Sequence, residues 1–201
     1  SNSIQILIAP SWGEKGLIET NIDKIIDILL TAKYKVVLRP HPMSQKKSKK
    51  KISELNKKFS SNPDFILEQN ITNFDSLSQS NIMISDWSGV ALEFAFTFER
   101  PILYVDVPKK ILNPNFTEIL HIPIEESIRN KIGVVISKSD IKSIPKKIEE
   151  LYKNTEIMRD QIKKVREDTV FNIGKSSEIG AKQIIELLNQ LKYDNSQDKL
   201  N

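Results

Sequence analysis

The stretch IMISDWSGVALEFAFTFERPILYVDVP, residues 82–108, decides the reading of this chain. Ile82-Met83-Ile84 is a short continuous apolar run, the pattern of a strand buried on both faces. It stops at Ser85-Asp86-Trp87-Ser88-Gly89, a cluster of turn formers and helix-capping residues. An apolar helix is predicted from about Val90 to Phe98, and Pro101 introduces a second strand, Ile102-Leu103-Tyr104-Val105. In this order, strand, tight turn, helix and strand, the turn can aim backbone N–H groups, a helix N-terminus and hydroxyls at one point. Such a point suits an anion, and a phosphate in particular.

The same grammar extends in both directions. Ile4 to Ala9 reads as a buried strand ending at Pro10-Ser11-Trp12-Gly13. Ile22, Ile25, Ile26, Leu29 and Leu30 repeat at helical spacing. Val36-Val37-Leu38 is a second strand and runs into Arg39-Pro40-His41-Pro42. Residues 44–59 are predicted as one lysine-rich helix with Ile52, Leu55 and Phe59 inward. Phe65-Ile66-Leu67 is a third strand, and a short helix follows over 74–80, with Thr72 or Asn73 as its cap. Residues 106–131 read as irregular, Gly133 to Ile136 as a further strand, and helices follow an Ser139 or Asp140 cap, over 155–167 and over about 178–191. Strands that alternate with helices and lack in-and-out patterning imply an α/β fold, a doubly wound parallel sheet of Rossmann-like type. Ligands of such sheets bind beyond the carboxyl ends of the strands, where PSWG, RPHP, SDWSG and DVPKK all fall.

The composition excludes several classes. The chain has 201 residues, 39% of them hydrophobic, so one domain over 1–191 with a frayed tail over 192–201 is expected. No apolar run is long enough to span a bilayer, and no signal-peptide pattern opens the sequence. Ser1-Asn2 reads as a remnant of tag removal, and the chain as a piece of a longer protein. Cysteine is absent, which rules out disulfides and thiolate metal sites. The net charge is +4, much of it in KKSKKK at 46–51. These lysines read as a solvated helix face, or as contact with an anionic membrane surface. Nucleic acid is not expected, because no aromatic residues interleave with them.

Candidate site residues follow from the rim. Ser88 is read as a helix cap or phosphate donor, and Gly89 as a place of close backbone approach, with Asp86 in the same turn. Glu93, one turn into the helix, is placed to reach sugar hydroxyls, or else to form a surface ion pair. Arg39 and His41, between prolines at a strand end, suit phosphate chemistry as fork donor and as donor or acid/base. Ser11 and Gly13 are candidates to line the cleft, with Trp12 packed between layers. Ser176, in GKSS before the last helix, is either a second anion-binding helix start or a plain cap. It is no P-loop, because the upstream glycine and the strand are missing. His121 is read as structural. No metal-ligand pattern, cofactor motif or serine-nucleophile elbow is present.

ILIAPSWG, VVLRPHP and the 82–108 stretch, in this order and spacing, resemble the nucleotide-binding C-terminal half of the CDP-glycerol glycerophosphotransferase family. NIGKSSEIGAKQI resembles its closing segment. The resemblance implies one half of a GT-B fold, with 1–191 binding the donor nucleotide. It implies a transferase that moves glycerol phosphate, or a related polyol phosphate, from a CDP-linked donor to a hydroxyl of a polymer or lipid-linked acceptor in teichoic-acid or capsule synthesis. His41 would be the site histidine and Ser88 would hold the diphosphate. Gly89 stands where many members carry a second serine. The acceptor-side histidine would lie in an N-terminal domain absent from this sequence, so this half is expected to be inactive alone. The implied location is cytoplasmic, peripheral on the inner membrane face. A nucleotide-sugar glycosyltransferase, a UDP-N-acetylglucosamine 2-epimerase-like domain and a non-catalytic nucleotide-binding module remain the alternatives.

Overall fold

The computed structural model describes residues 4–72, 74–109, 111, 113, 115–118 and 120–197, with side chains to 191. Its centre is a six-stranded, all-parallel sheet in the order β3-β2-β1-β4-β5-β6. The strands are β1 (Gln5–Ile8), β2 (Lys35–Leu38), β3 (Phe65–Leu67), β4 (Ile82–Ser85), β5 (Ile102–Asp106) and β6 (Gly133–Ser137). The helices in chain order are α1 (Leu17–Thr20), α2 (Ile22–Thr31), α3 (Pro42–Lys47), α4 (Lys49–Phe59), α5 (Asp75–Gln79), α6 (Val90–Phe98), α7 (Ile124–Ser127), α8 (Arg129–Ile132), α9 (Ile144–Lys153), α10 (Thr155–Thr169) and α11 (Ser176–Gln197). Short 3-10 turns lie at Phe116–Glu118 and Ile141–Ser143.

The continuous apolar strands have a direct cause. Successive side chains of a strand point to opposite faces, and both faces are covered. Ile6, Ile8, Val36, Leu38, Ile82, Ile84, Leu103 and Val105 pack on one face against Ile22, Ile25 and Leu29 of α2, Leu55 and Phe59 of α4, and Ile148 of α9. Leu7, Val37, Met83, Ile102 and Tyr104 pack on the other against Phe94 and Ala95 of α6, Ile132 of α8 and Ile162 of α10. Each fully buried isoleucine or leucine contributes roughly 1.5–3 kcal/mol. Burial holds the Tyr104 phenol far above its ordinary range, and Arg129 opposes the shift. At the start of β6 only glycine fits. A Cβ at Gly133 would lie 1.9 Å from the Ile102 carbonyl oxygen of the neighbouring strand.

The lysine-rich segment forms two helices, not one. Pro42 stands at the first turn of α3, and the helix ends at Ser48, whose φ of −111° and ψ of 28° break the helical path before α4. Ile52, Leu55 and Phe59 face the core from α4. Asn73 lies outside the described residues, and α5 is preceded by Phe74 without a side-chain cap. Neither Ser139 nor Asp140 caps a helix through its side chain. His121, in the 106–131 segment, is exposed rather than built into the core. No described helix is long and apolar enough to cross a membrane.

The chain divides into two compact units, Ser1–Val165 and Arg166–Asn201. The first holds the sheet. The second holds the end of α10, a turn in which Asn172 and Gly174 take positive φ, and α11, which runs on to Gln197.

Candidate donor site at the carboxyl edge of the sheet

The strand order reverses at β1, which has β2 on one side and β4 on the other, and a crevice opens between the loops leaving the three strands. It has a volume of about 660 Å³ and belongs wholly to the first unit. Ser11, Arg39, His41, Ser88, Gly89 and Glu93 all line it. Lys109, from the segment after β5, and Glu125 and Glu126, from α7, complete one wall.

Ser88 and Gly89 enter the crevice where α6 starts. The Ser88 carbonyl accepts from Ala91 and the Gly89 carbonyl from Leu92, so the backbone turns into the helix here. The Ser88 side chain does not cap the helix, contrary to the capping reading, and its hydroxyl has no partner among the described residues. Gly89 has φ −59°, a value any residue adopts, and a Cβ there would meet nothing within 4 Å. Its value is open space beside the α6 amides rather than an unusual backbone. Glu93 lies one turn further on, exposed on the same wall.

His41 caps α3. The Met43 N–H donates to its Nδ1 at 3.0 Å, which places the ring proton of the neutral imidazole on Nε2. Trp12 packs near it, ring centroids 6.4 Å apart, with the Lys47 Nζ 4.7 Å from the Trp12 ring centroid on α3. Trp12 is thus a half-buried wall of the crevice and not a filler between layers.

Four expected ligand contacts are engaged by other groups or placed elsewhere. Arg39 is buried, and its guanidinium donates to Glu68 at 2.8 Å, to the Ile71 carbonyl at 2.6 Å and to Ser76 at 3.3 Å. Ser76 in turn donates to Glu68. This buried pair braces the loop that carries His41, and removing one partner of such a pair costs about 3–5 kcal/mol. The fork-donor role is corrected accordingly. Asp86 is 1% exposed and does not line the crevice. Its Oδ1 accepts from the Ser11 N–H at 2.6 Å and the Trp87 N–H at 2.7 Å, and its Oδ2 from the Leu17 N–H at 3.3 Å. It ties the β1 loop to the β4 loop and keeps its charge away from an incoming anion. Gly13, with φ 135°, lines an adjoining compartment rather than the crevice. Ser176 stands in the second unit, where its hydroxyl donates to the Asn172 carbonyl at 2.8 Å.

Glu68, Glu125 and Arg129 escaped the sequence reading, and Lys47 and Lys109 entered it only as parts of KKSKKK and DVPKK. Arg129, on α8, lies 3.9 Å from the Trp87 ring centroid and 4.8 Å from that of Tyr104, and pairs with Asp106 at 3.0 Å. Trp87 also donates from Nε1 to the Val107 carbonyl at 2.8 Å, so the SDWSG turn is clamped from behind. Lys109 had a signal, because it follows β5 directly at the rim. Arg129 had none.

Comparison with solved structures returns the same half-domain architecture. UDP-GlcNAc 2-epimerase from Neisseria meningitidis bound to UDP-GlcNAc aligns with TM-score 0.58 at 21% identity, covering 92% of this chain and 45% of that one. A UDP-forming α,α-trehalose-phosphate synthase from Burkholderia vietnamiensis aligns with TM-score 0.51 at 8% identity, covering 94% and 45%. The chain therefore spans less than half the length of these structures and has the fold of one Rossmann-like half of a GT-B protein. No curated protein matches it in sequence. The profile of one family does match, over residues 1–110 and thus over more than half of the 201, covering β1 to β5 and the loops that leave β1, β2 and β4. By that match the chain belongs to the CDP-glycerol:poly(glycerophosphate) glycerophosphotransferase family.

Proposed function

We propose that this chain is the donor-binding half of a transferase that moves glycerol phosphate, or a related polyol phosphate, from a CDP-linked donor to a hydroxyl of a polymeric or lipid-linked acceptor. One observation carries the reading. The unpartnered Ser88 hydroxyl, the start of α6 and the His41 imidazole line one crevice at the switch point of the sheet. The amides of a helix start and a hydroxyl suit a diphosphate, and the helix dipole adds favourable charge.

The acceptor oxygen attacks the β-phosphorus of the donor. The bond from that phosphorus to the bridging oxygen breaks, and CMP leaves with the electron pair. The acceptor's proton passes to a base on the acceptor side, outside this chain. Because Nδ1 of His41 is held by the Met43 amide, the ring works through Nε2–H, donating to the oxygen that gains charge. Glu93 is assigned to hydroxyls of the ribose or glycerol. Arg39 is assigned to positioning, through the loop that bears His41.

Calorimetry with CDP, CMP and UDP tests this reading on the chain itself. CDP should bind more tightly than CMP, and Ser88→Ala should weaken CDP about tenfold, the cost of a hydrogen bond to a charged group, while moving CMP less. Preference for UDP would transfer the site to the nucleotide-sugar enzymes. Absence of binding by all three would remove the donor site.

A further inference from the structure

A second compartment of about 490 Å³ adjoins the crevice. Trp12 and Trp87 line both spaces, so their rings stand between them. The first turn of α3 serves both sides as well: His41 lines the crevice and Ser44 the second compartment. Ser44 is 1% exposed, and its Oγ is buried without a hydrogen-bond partner. A buried hydroxyl left unpaired is costly, and rotation about its Cα–Cβ bond offers a donor to whatever enters. Lys15 and Lys47 line it beside Glu14 and Glu19, and Lys109, also on its wall, is paired with Glu126. The Gly13–Gly16 turn forms the floor, closed by the Gly16 N–H donating to the Gly13 carbonyl at 3.0 Å.

We infer that this compartment is a second anion subsite, built for a phosphate diester and separate from the donor diphosphate. It rests on the proposed transfer only for its occupant, a phosphodiester of the glycerophosphate acceptor chain lying next to the donor. The hydroxyl of Ser44 donates to one non-bridging oxygen and Lys15 neutralises the charge.

The isotope-labelled full chain is titrated with glycerophosphoglycerol and with inorganic phosphate, each with and without saturating CDP, and followed by amide NMR. The diester should shift the amides of Gly13, Gly16, Ser44 and Ser48, bind more tightly than inorganic phosphate, and do so equally with CDP present. Ser44→Val should weaken it about tenfold and Lys15→Ala, at an exposed position, about threefold, both with an unchanged melting temperature and unchanged CDP binding. Shifts confined to Ser88 and Gly89, competition with CDP, or wild-type diester affinity in both variants would overturn the subsite. Inorganic phosphate binding as tightly as the diester would overturn its assignment to a polymer. The donor reading fails on a different signal, a CDP titration that leaves the Ser88 and Gly89 amides unmoved.

Discussion

Replacing His41 with alanine is expected to slow CMP release from CDP-glycerol by about 10²- to 10⁴-fold in a protein carrying both halves, the usual contribution of a positioned proton donor. The loss should fall on kcat, because Nε2–H meets its strongest partner only when charge builds on the bridging oxygen. The fold should survive. His41 is half-buried, and the cap it gives to the Met43 amide is worth about 1 kcal/mol. His41→Asn is the informative companion, since asparagine keeps a cap acceptor and restores the helix start without restoring the ring. Steady-state kinetics of the two variants beside their melting temperatures separate the roles. Turnover within threefold of wild type in His41→Ala would remove the histidine from the chemistry.

Asp86→Ala should have the largest effect on stability, a loss of about 3 kcal/mol or more and roughly 10 °C in melting temperature. Three backbone N–H groups, those of Ser11, Trp87 and Leu17, lose their acceptor at once around a side chain that is 1% exposed. Asp86→Asn does not repair this. With Oδ1 serving Ser11 and Trp87, the new amide N–H₂ faces the Leu17 N–H, donor against donor. CDP affinity should fall with stability, because this carboxylate ties the β1 loop to the β4 loop. Urea denaturation gives the check. A change below 1 kcal/mol would mean that the loops are held together by other contacts.

Much of the fold was legible because burial on both faces writes itself into a strand as an unbroken apolar run, as in Ile6-Leu7-Ile8 and Ile82-Met83-Ile84. The rim was legible for the same reason, since a polar cluster directly after such a run must lie at the carboxyl edge. The break at Ser48 was not legible. Between Met43 and Ile52 there is no apolar residue whose spacing could reveal a change of helical phase. Nor could the roles of Asp86 and Arg39 be read locally. Asp86 finds partners 75 and 69 residues away, and Arg39 finds Glu68 29 residues away. A charged residue after a strand says only that it stands at the rim; whether it faces a ligand or a neighbouring loop depends on which distant N–H groups need it.

In the proposed site several loops of one sheet edge meet a single diphosphate. A crystal structure of this chain with CDP-glycerol tests that directly. It should show the Ser88 hydroxyl and the first amides of α6 within about 3 Å of the phosphate oxygens, with His41 Nε2 directed at the oxygen bridging the two phosphates. A diphosphate bound outside the crevice, or one touched by Ser88 or His41 but not by both, would contradict it.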